Sequence, residues 1–514
     1  MSHFVTPDEP PSAFHVEVRP SLGGRVLCAS RDLDEGEVII FEEAFLSCTG
    51  GTAEALACVE ELKRDQPGRY ELFRRQFLAH DMAAEYGQKA KPQSLADEYM
   101  SSREGSEEDG GLLSREEVVD AITIWDMNTY ITSDSNDTHA LFDNISKIPH
   151  SCSPCVSVIP DKDKARVRVY RAVKAGEILG SWYPEDVVVF WMDSIARRRH
   201  IQQERGFLCN CDRCVRAPDT CRLLPCPDSN LCDGTVIFSP SPAPSWRCNE
   251  CGHSFSNDDP PEQLAAALAS ESSLRERVLA IHSDRLQHGR LPSCDELAEL
   301  SDDIVEALGT DHWLFGYINA LLSEYYQSAR ATSNDPGEQS LAAAYGLAHL
   351  DWIRQQLDRW GLARAPGYVM RPVFERGLFC CEWYRDAVEA FVNDRTVLLL
   401  RLTRFMLTLT EDSCWNDQGR HVLDTMRAYV NDTESRCHRC HADMGQPSTG
   451  SADADRSASD DGWCGVCLTV RYCSDGCRKA DWECHSAVCC DPATPFLDMA
   501  DELMTDRHTD EADV

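Results

Sequence analysis

Apolar and polar positions alternate in short bursts near the start of the chain, in Val16-Glu17-Val18 and in Val38-Ile39-Ile40-Phe41. Gly23-Gly24 and Glu35-Gly36-Glu37 punctuate them, so a period of two broken by turns predicts short strands over residues 16–48. Residues 53–90 shift to a helical period, and the polar, acidic stretch from about Lys91 to Gly111 reads as a mobile loop. Ser114-Arg115-Glu116-Glu117 places a serine three residues before a glutamate, the pattern of a capping box, so a helix is expected to start there. Strand-like runs return from Leu141 to Tyr183. From Cys209 to Cys251 the chain is dense in cysteine and proline, a loop fabric that needs a staple. Residues 261–436 are helical in pattern, as in Trp313 through Tyr326, without a clean repeat of fixed period. The segment after Asp498 is acidic and expected to be disordered.

At 514 residues the chain exceeds what one core organises, and three or four domains are the natural expectation. Fifty basic residues against 86 acidic ones give a net charge of −36. Such a surface repels phosphate backbones, which disfavours direct nucleic-acid binding and favours basic, Lys-rich protein partners. Met1 to Pro20 shows no apolar core of signal-peptide type. The most apolar run, Val397 to Leu409, is interrupted by Arg401 and Arg404 and is too short to span a bilayer. Twenty-six cysteines without an export signal point to thiolate–metal chemistry rather than disulfides. The expected home is therefore the cytoplasm or nucleus, with no secretion.

Three cysteine constellations follow. Toward the C-terminus stand Cys437-x2-Cys440, Cys464-x2-Cys467, Cys473-x3-Cys477 and His485-x3-Cys489. Each pair can present two ligands to one ion, and four pairs make two tetrahedral sites. The stretch between the first two pairs is a low-complexity insert, read as a flexible loop. Earlier, Cys209-x-Cys211-x2-Cys214 offers three thiolates and leaves one tetrahedral corner for Cys221, Cys226 or a distant residue. Between these lie Cys226, Cys232, Cys248 and Cys251, which resemble a small zinc ribbon, with free buried thiols as the other reading.

Several further segments, taken in order, resemble the SET domain as it occurs in the SET-and-MYND family of protein-lysine methyltransferases. Gly24-Arg25-Val26-Leu27-Cys28-Ala29, Gly36-Glu37 and Phe41-Glu42-Glu43 resemble its opening strands. Asn128-Thr129-Tyr130-Ile131 resembles the segment before its core, and His150-Ser151-Cys152-Ser153-Pro154 its NHSCxPN motif. Val173-Lys174-Ala175-Gly176-Glu177 through Tyr183 resembles its GEE…Y motif, and Gly206 to Cys214 its post-SET segment. The C-terminal cysteines, with Tyr472-Cys473-Ser474 and Asp481-Trp482, resemble the MYND finger.

The resemblance implies an α+β architecture: a SET domain over 14–207 with an insert at about 53–113, a post-SET and ribbon-like segment over 208–255, a helical, TPR-like domain over 261–436, a MYND-type finger over 437–489 and an acidic tail over 490–514. It makes Cys152 the fourth ligand beside Cys209, Cys211 and Cys214. It pairs Cys437, Cys440, Cys473 and Cys477 on one zinc, and Cys464, Cys467, His485 and Cys489 on another. It implies methyl transfer from S-adenosylmethionine to a lysine amine, with Tyr183 and Phe207 as catalytic residues. Gly24, Arg25, Asn128 and His150, with Tyr183 and Phe207, fall on cofactor-contact positions. The finger implies a protein partner, often a proline-containing segment. This chain departs from the pattern at Val26, Pro149, Cys155 and Arg205, and its finger is C-terminal rather than inserted in SET. A catalytically weak SET-like zinc scaffold that recruits protein partners is the alternative reading.

Overall fold

The computed structural model describes residues 12–22, 24–77, 90–102, 113–132, 137–184, 186–228, 232–241, 243–330, 336–360, 372–373, 375–381, 396–408 and 417–435. It also describes Cys464, Val470, Tyr472, Cys473, Ser474, 477–479, His485 and 494–496. The chain divides into two compact units: Met1–Phe190 with Ser194–Ala217, and Trp191–Asp193 with Pro218–Val514. Among the described residues no helix is long and apolar enough to cross a membrane.

The first unit runs β1 (Phe14–Arg19), β2 (Gly24–Ala29), β3 (Val38–Glu43), β4 (Leu46–Thr49), α1 (Thr52–Asp65), α2 (Pro67–Phe77), α3 (Ala90–Ser102) and α4 (Arg115–Asn128). It continues with β5 (Tyr130–Ile131), β6 (Thr138–Leu141), β7 (Val156–Asp161), β8 (Lys164–Val169), α5 (Ser194–Arg205) and the one-turn α6 (Asp212–Val215). The strands form three small antiparallel sheets, ordered β1-β2, β3-β8-β7 and β4-β6-β5. One core gathers strand residues, including Leu27, Ile40, Phe142, Val156, Val167 and Leu179. A second gathers the helical insert around Leu56, Phe73, Phe77, Ile122 and Trp125.

Sequence pattern explains much of this. Ser114 Oγ accepts from Glu117 N–H while Glu117 reaches back to Ser114 N–H, so the capping box starts α4 as expected. One expectation fails here and one is refined. The stretch expected to be loop from Lys91 is helical through Ser102, because Leu95, Ala96 and Tyr99 supply a stripe that packs on the insert's core. The alternation in β1 is real but inverted: Val16 and Val18 face outward and are exposed, with Glu17 between them half-buried.

The second unit opens with β9 (Asp219–Pro225), β10 (Thr235–Ser239), β11 (Ser245–Cys248) and β12 (Ser254–Ser256), an antiparallel sheet in the order β12-β11-β10-β9. The cysteine-rich stretch after Asp219 is therefore a sheet where loops were expected. Its strands are short and its turns carry the prolines, which hid the alternation. Helices follow: α7 (Glu262–His288), α8 (Cys294–Leu308), α9 (Trp313–Arg330), α10 (Pro336–Trp360), α11 (Thr396–Thr408) and α12 (Asp417–Ser435). The helical expectation for this region holds for those residues.

Candidate functional site

Two stretches of the first unit, Ile148–Cys155 and Ile178–Tyr183, are sewn together by backbone. Ser151 N–H donates to Ser181 O at 2.8 Å, Ser181 N–H to Pro149 O at 3.0 Å, and Cys155 N–H to Gly180 O at 2.9 Å. His150 and Ser181 form a parallel bridge. A Cβ on Gly180 would lie 2.6 Å from Ser151 Cβ, so only glycine allows this approach. Pro149, which lacks an N–H, contributes its carbonyl to this seam.

The seam projects Cys152 toward the loop that ends in α6. Cys211 caps that turn of helix, which places Cys214 three residues on and over the same point. The sulfurs of Cys152, Cys209, Cys211 and Cys214 all lie within 4.8 Å of one another. Cys152 Sγ is 3.8 Å from Cys209 Sγ and 3.5 Å from Cys214 Sγ. A tetrahedral ion with bonds of about 2.3 Å sets its sulfurs about 3.8 Å apart, whereas a disulfide needs about 2.05 Å. The donor set and spacing fit zinc.

Burial pushes the Cys152 thiol well up, whereas hydrogen bonds from Cys152 and Cys209 hold Cys211 below the ordinary thiol range and bring Cys214 to about 6. Fully buried Arg197 sets Nη2 3.9 Å from Cys214 Sγ. Arg213, between two of the cysteines, donates to Cys152 O and to Phe190 O, each at 2.8 Å, and lies over the Phe190 ring. Arg198 Nε donates to Cys209 O at 2.9 Å. These three arginines were missed from sequence; the run Arg197-Arg198-Arg199 and the placement of Arg213 among cysteines were the available signals.

His150 is buried beside the sulfurs. Tyr183 N–H donates to its Nδ1 at 3.2 Å, so the ring proton resides on Nε2, which faces Cys152 Sγ at 3.2 Å. Burial pushes the imidazole down to about 3, which keeps it neutral. Around His150 stand Trp182, Tyr183 and Phe207, with ring centroids at 5.3, 5.4 and 5.9 Å. The Tyr183 hydroxyl donates to Ile148 O, and burial pushes its pKa up to about 12.

Of the expected residues, then, Cys152, Cys209, Cys211, Cys214, His150, Tyr183 and Phe207 meet in one place. Arg25 and Asn128 meet in another: they donate to Gln76 O and Phe77 O, successive carbonyls at the end of α2. Asn128 also donates to Ile124 O at 3.0 Å. Gly24 opens β2 next to Arg25, whose neighbour Val26 is buried in the core. Arg205 donates to Tyr183 O at 3.2 Å and to Asp126 O at 3.3 Å. Cys155 is buried, which pushes its thiol up to about 11, and its Sγ faces Ile178 O.

In the second unit, Cys226, Cys232, Cys248 and Cys251 also come within 4.8 Å of one another. Farther on, Cys464 Sγ lies 3.3 Å from His485 Nε2, and Cys473 Sγ 3.5 Å from Cys477 Sγ. Cys437, Cys440, Cys467 and Cys489 lie outside the described residues.

No protein-family model matches the chain, and no curated protein matches it. Among solved structures, the chain is similar to the SET domain of LSMT bound to lysine and AdoHcy, at 11% identity and a TM-score of 0.28, over 82% of this chain and 89% of that one. It is also similar to Rubisco LSMT bound to AdoMet, at 11% identity and a TM-score of 0.29, over 82% of this chain and 86% of that one.

Proposed function

We propose that the first unit is a SET-type protein-lysine N-methyltransferase dependent on S-adenosylmethionine. The observation that carries this reading is the convergence of Cys152 with Cys209, Cys211 and Cys214, beside which Phe207 and Tyr183 both stand against His150. Residues far apart in sequence, singled out for one site, support it by meeting. Zinc held by the four thiolates would fix the post-SET loop as one wall of a lysine channel.

S-adenosylmethionine supplies an electrophilic methyl on its sulfonium. The chain's part is to receive a neutral amine, whose ordinary pKa is about 10.4, and aim its lone pair. Aromatic walls from Tyr183 and Phe207 disfavour the ammonium by desolvation. The Tyr183 hydroxyl stays protonated, and because its hydrogen is committed to Ile148 O, its oxygen lone pairs remain to accept from the substrate. His150, locked between Tyr183 N–H and Cys152 Sγ, positions both.

A scaffold reading has its own support. Arg25 and Asn128 spend donors on the end of α2, and Val26 stands where the resemblance expects close approach of backbone to cofactor. The C-terminal finger serves either reading by binding a basic or proline-containing partner segment. Its interleaved pairing is supported by the Cys464–His485 and Cys473–Cys477 approaches.

Calorimetric titration of zinc-replete protein with S-adenosylmethionine separates the two. The enzyme reading expects saturable heat, then methyl transfer to extract proteins that falls on the order of a hundredfold in Tyr183→Phe with donor binding retained. No heat at millimolar donor leaves the scaffold.

A further inference from the structure

The sheet that opens the second unit has a buried apolar middle and one end covered by an aromatic pair. Trp246, Leu224 and Val236 are fully buried, Phe238 lies against Trp246 at 5.1 Å, and the Arg222 guanidinium covers the Trp246 ring. At the other end stand cysteines. Cys226 follows β9, Cys232 precedes β10, Cys248 ends β11, and Cys251 sits in the turn to β12.

Cys226 Sγ is 3.9 Å from Cys251 Sγ, and Cys232 Sγ is 3.6 Å from Cys248 Sγ. Those separations are close to the edge of a tetrahedron with metal–sulfur bonds of about 2.3 Å and far from a disulfide. Gly234 N–H donates to Cys232 at 3.3 Å. Gly252, at φ +73°, makes the left-handed turn that follows Cys251.

Four sulfurs this close suit thiolates around a shared cation, since four thiolates in mutual contact repel unless a cation lies between them. A cluster of buried neutral thiols is the wrong description, since Cys251 is exposed and Cys232 half-buried. An all-sulfur tetrahedral set suits zinc, with a single iron as the competing ion.

We infer that Cys226, Cys232, Cys248 and Cys251 hold a structural zinc ion that closes the open end of the β9–β12 sheet. This ion is independent of the methyltransferase reading, because none of its ligands belongs to the first unit. It does for the ribbon what Trp246 does at the other end, holding strands too short to stand by themselves.

The test uses the full-length, zinc-replete protein. Stepwise titration with an organomercurial, with released zinc followed by a metallochromic dye, should release one equivalent as these four thiols are modified, mapped by mass spectrometry. Cys251→Ser, altering the exposed corner, should lower zinc content by up to one equivalent or speed zinc loss to the dye, with the S-adenosylmethionine titration unchanged. Reaction of all four thiols without zinc release overturns the assignment. Iron in the purified protein, released in its place, overturns the choice of metal. A chain that binds no S-adenosylmethionine yet releases this zinc refutes the methyltransferase reading alone.

Discussion

Each unit buries a polar cluster, and the two handle charge in opposite ways. The first unit concentrates sulfur: Cys152, Cys209, Cys211 and Cys214 carry acceptors of one kind, and only a cation from outside completes them. The second unit concentrates ions that complete one another. Arg222 forks onto Glu271 with both bonds at 2.8 Å, and Arg275 bonds Asp193 at 3.0 Å and Glu271 at 2.5 Å. Trp313 Nε1 donates to Asp193 at 2.8 Å, and Leu314 N–H fixes His312 so that Nε2–H donates to Glu271 at 3.1 Å. Burial works against the Glu271 charge, yet Arg222 and His312 hold its carboxyl far below the ordinary range. Two guanidiniums and two carboxylates leave no charge for a metal to neutralise. Proximity of His, Asp and Glu therefore does not make a metal site; uncompensated negative charge does.

Zinc removal should separate the clusters most sharply. Structural zinc contributes roughly 10–16 kcal/mol of apparent binding free energy in small domains. A strong chelator should therefore erase hydrogen-exchange protection over 148–155, over 207–215 and at the cysteine end of the β9–β12 sheet, while the middle of α7 around Glu271 keeps its protection. Loss of both together would mean that the ionic cluster also depends on metal. Next in size, Glu271→Ala strands Arg222 and Arg275 in the interior and should cost about 3–5 kcal/mol in urea unfolding. A cost below 1 kcal/mol would show that the network is not closed as described.

The smallest effect expected is at Glu117, the ionic knot within the first unit. Burial raises its pKa, but Lys63, Ser114 and Tyr70 outweigh that and bring it to about 2 from an ordinary 4.5. A depressed carboxylate stabilises above its unfolded pKa and is lost as pH falls through its folded one. Wild type should therefore lose on the order of 1–3 kcal/mol between about pH 4.5 and 2 that Glu117→Gln never has. Equal acid limbs in the two proteins would remove Glu117 from the account.

Legibility in the sequence followed the same division. Sulfur clusters announce themselves by spacing, as in Cys209-x-Cys211-x2-Cys214 and Cys248-x2-Cys251, because one knuckle supplies two ligands. The fourth sulfur of the cluster, Cys152, has no local signal; it came from resemblance and lies where the seam at Gly180 presents it. The ionic cluster was invisible, since apart from the i,i+4 pair Glu271 and Arg275 its members Asp193, Arg222 and His312 share no spacing and look like surface charges one at a time. Helix α3 was missed because its buried stripe is only Leu95, Ala96 and Tyr99 among polar neighbours. Arg25 and Asn128 were singled out for a cofactor, whereas their visible work is at the end of a helix.

The distance along the chain between Cys152 and Cys209, 57 residues, has a consequence during synthesis. At about 5–20 residues per second, the first thiol emerges from the ribosome roughly 3–11 seconds before its partner. Through that interval the nascent polypeptide carries an uncoordinated cysteine, open to oxidation or to capture by the wrong ion. Expression yield should accordingly depend on free zinc and reductant while translation is under way, rather than on supplements added after lysis.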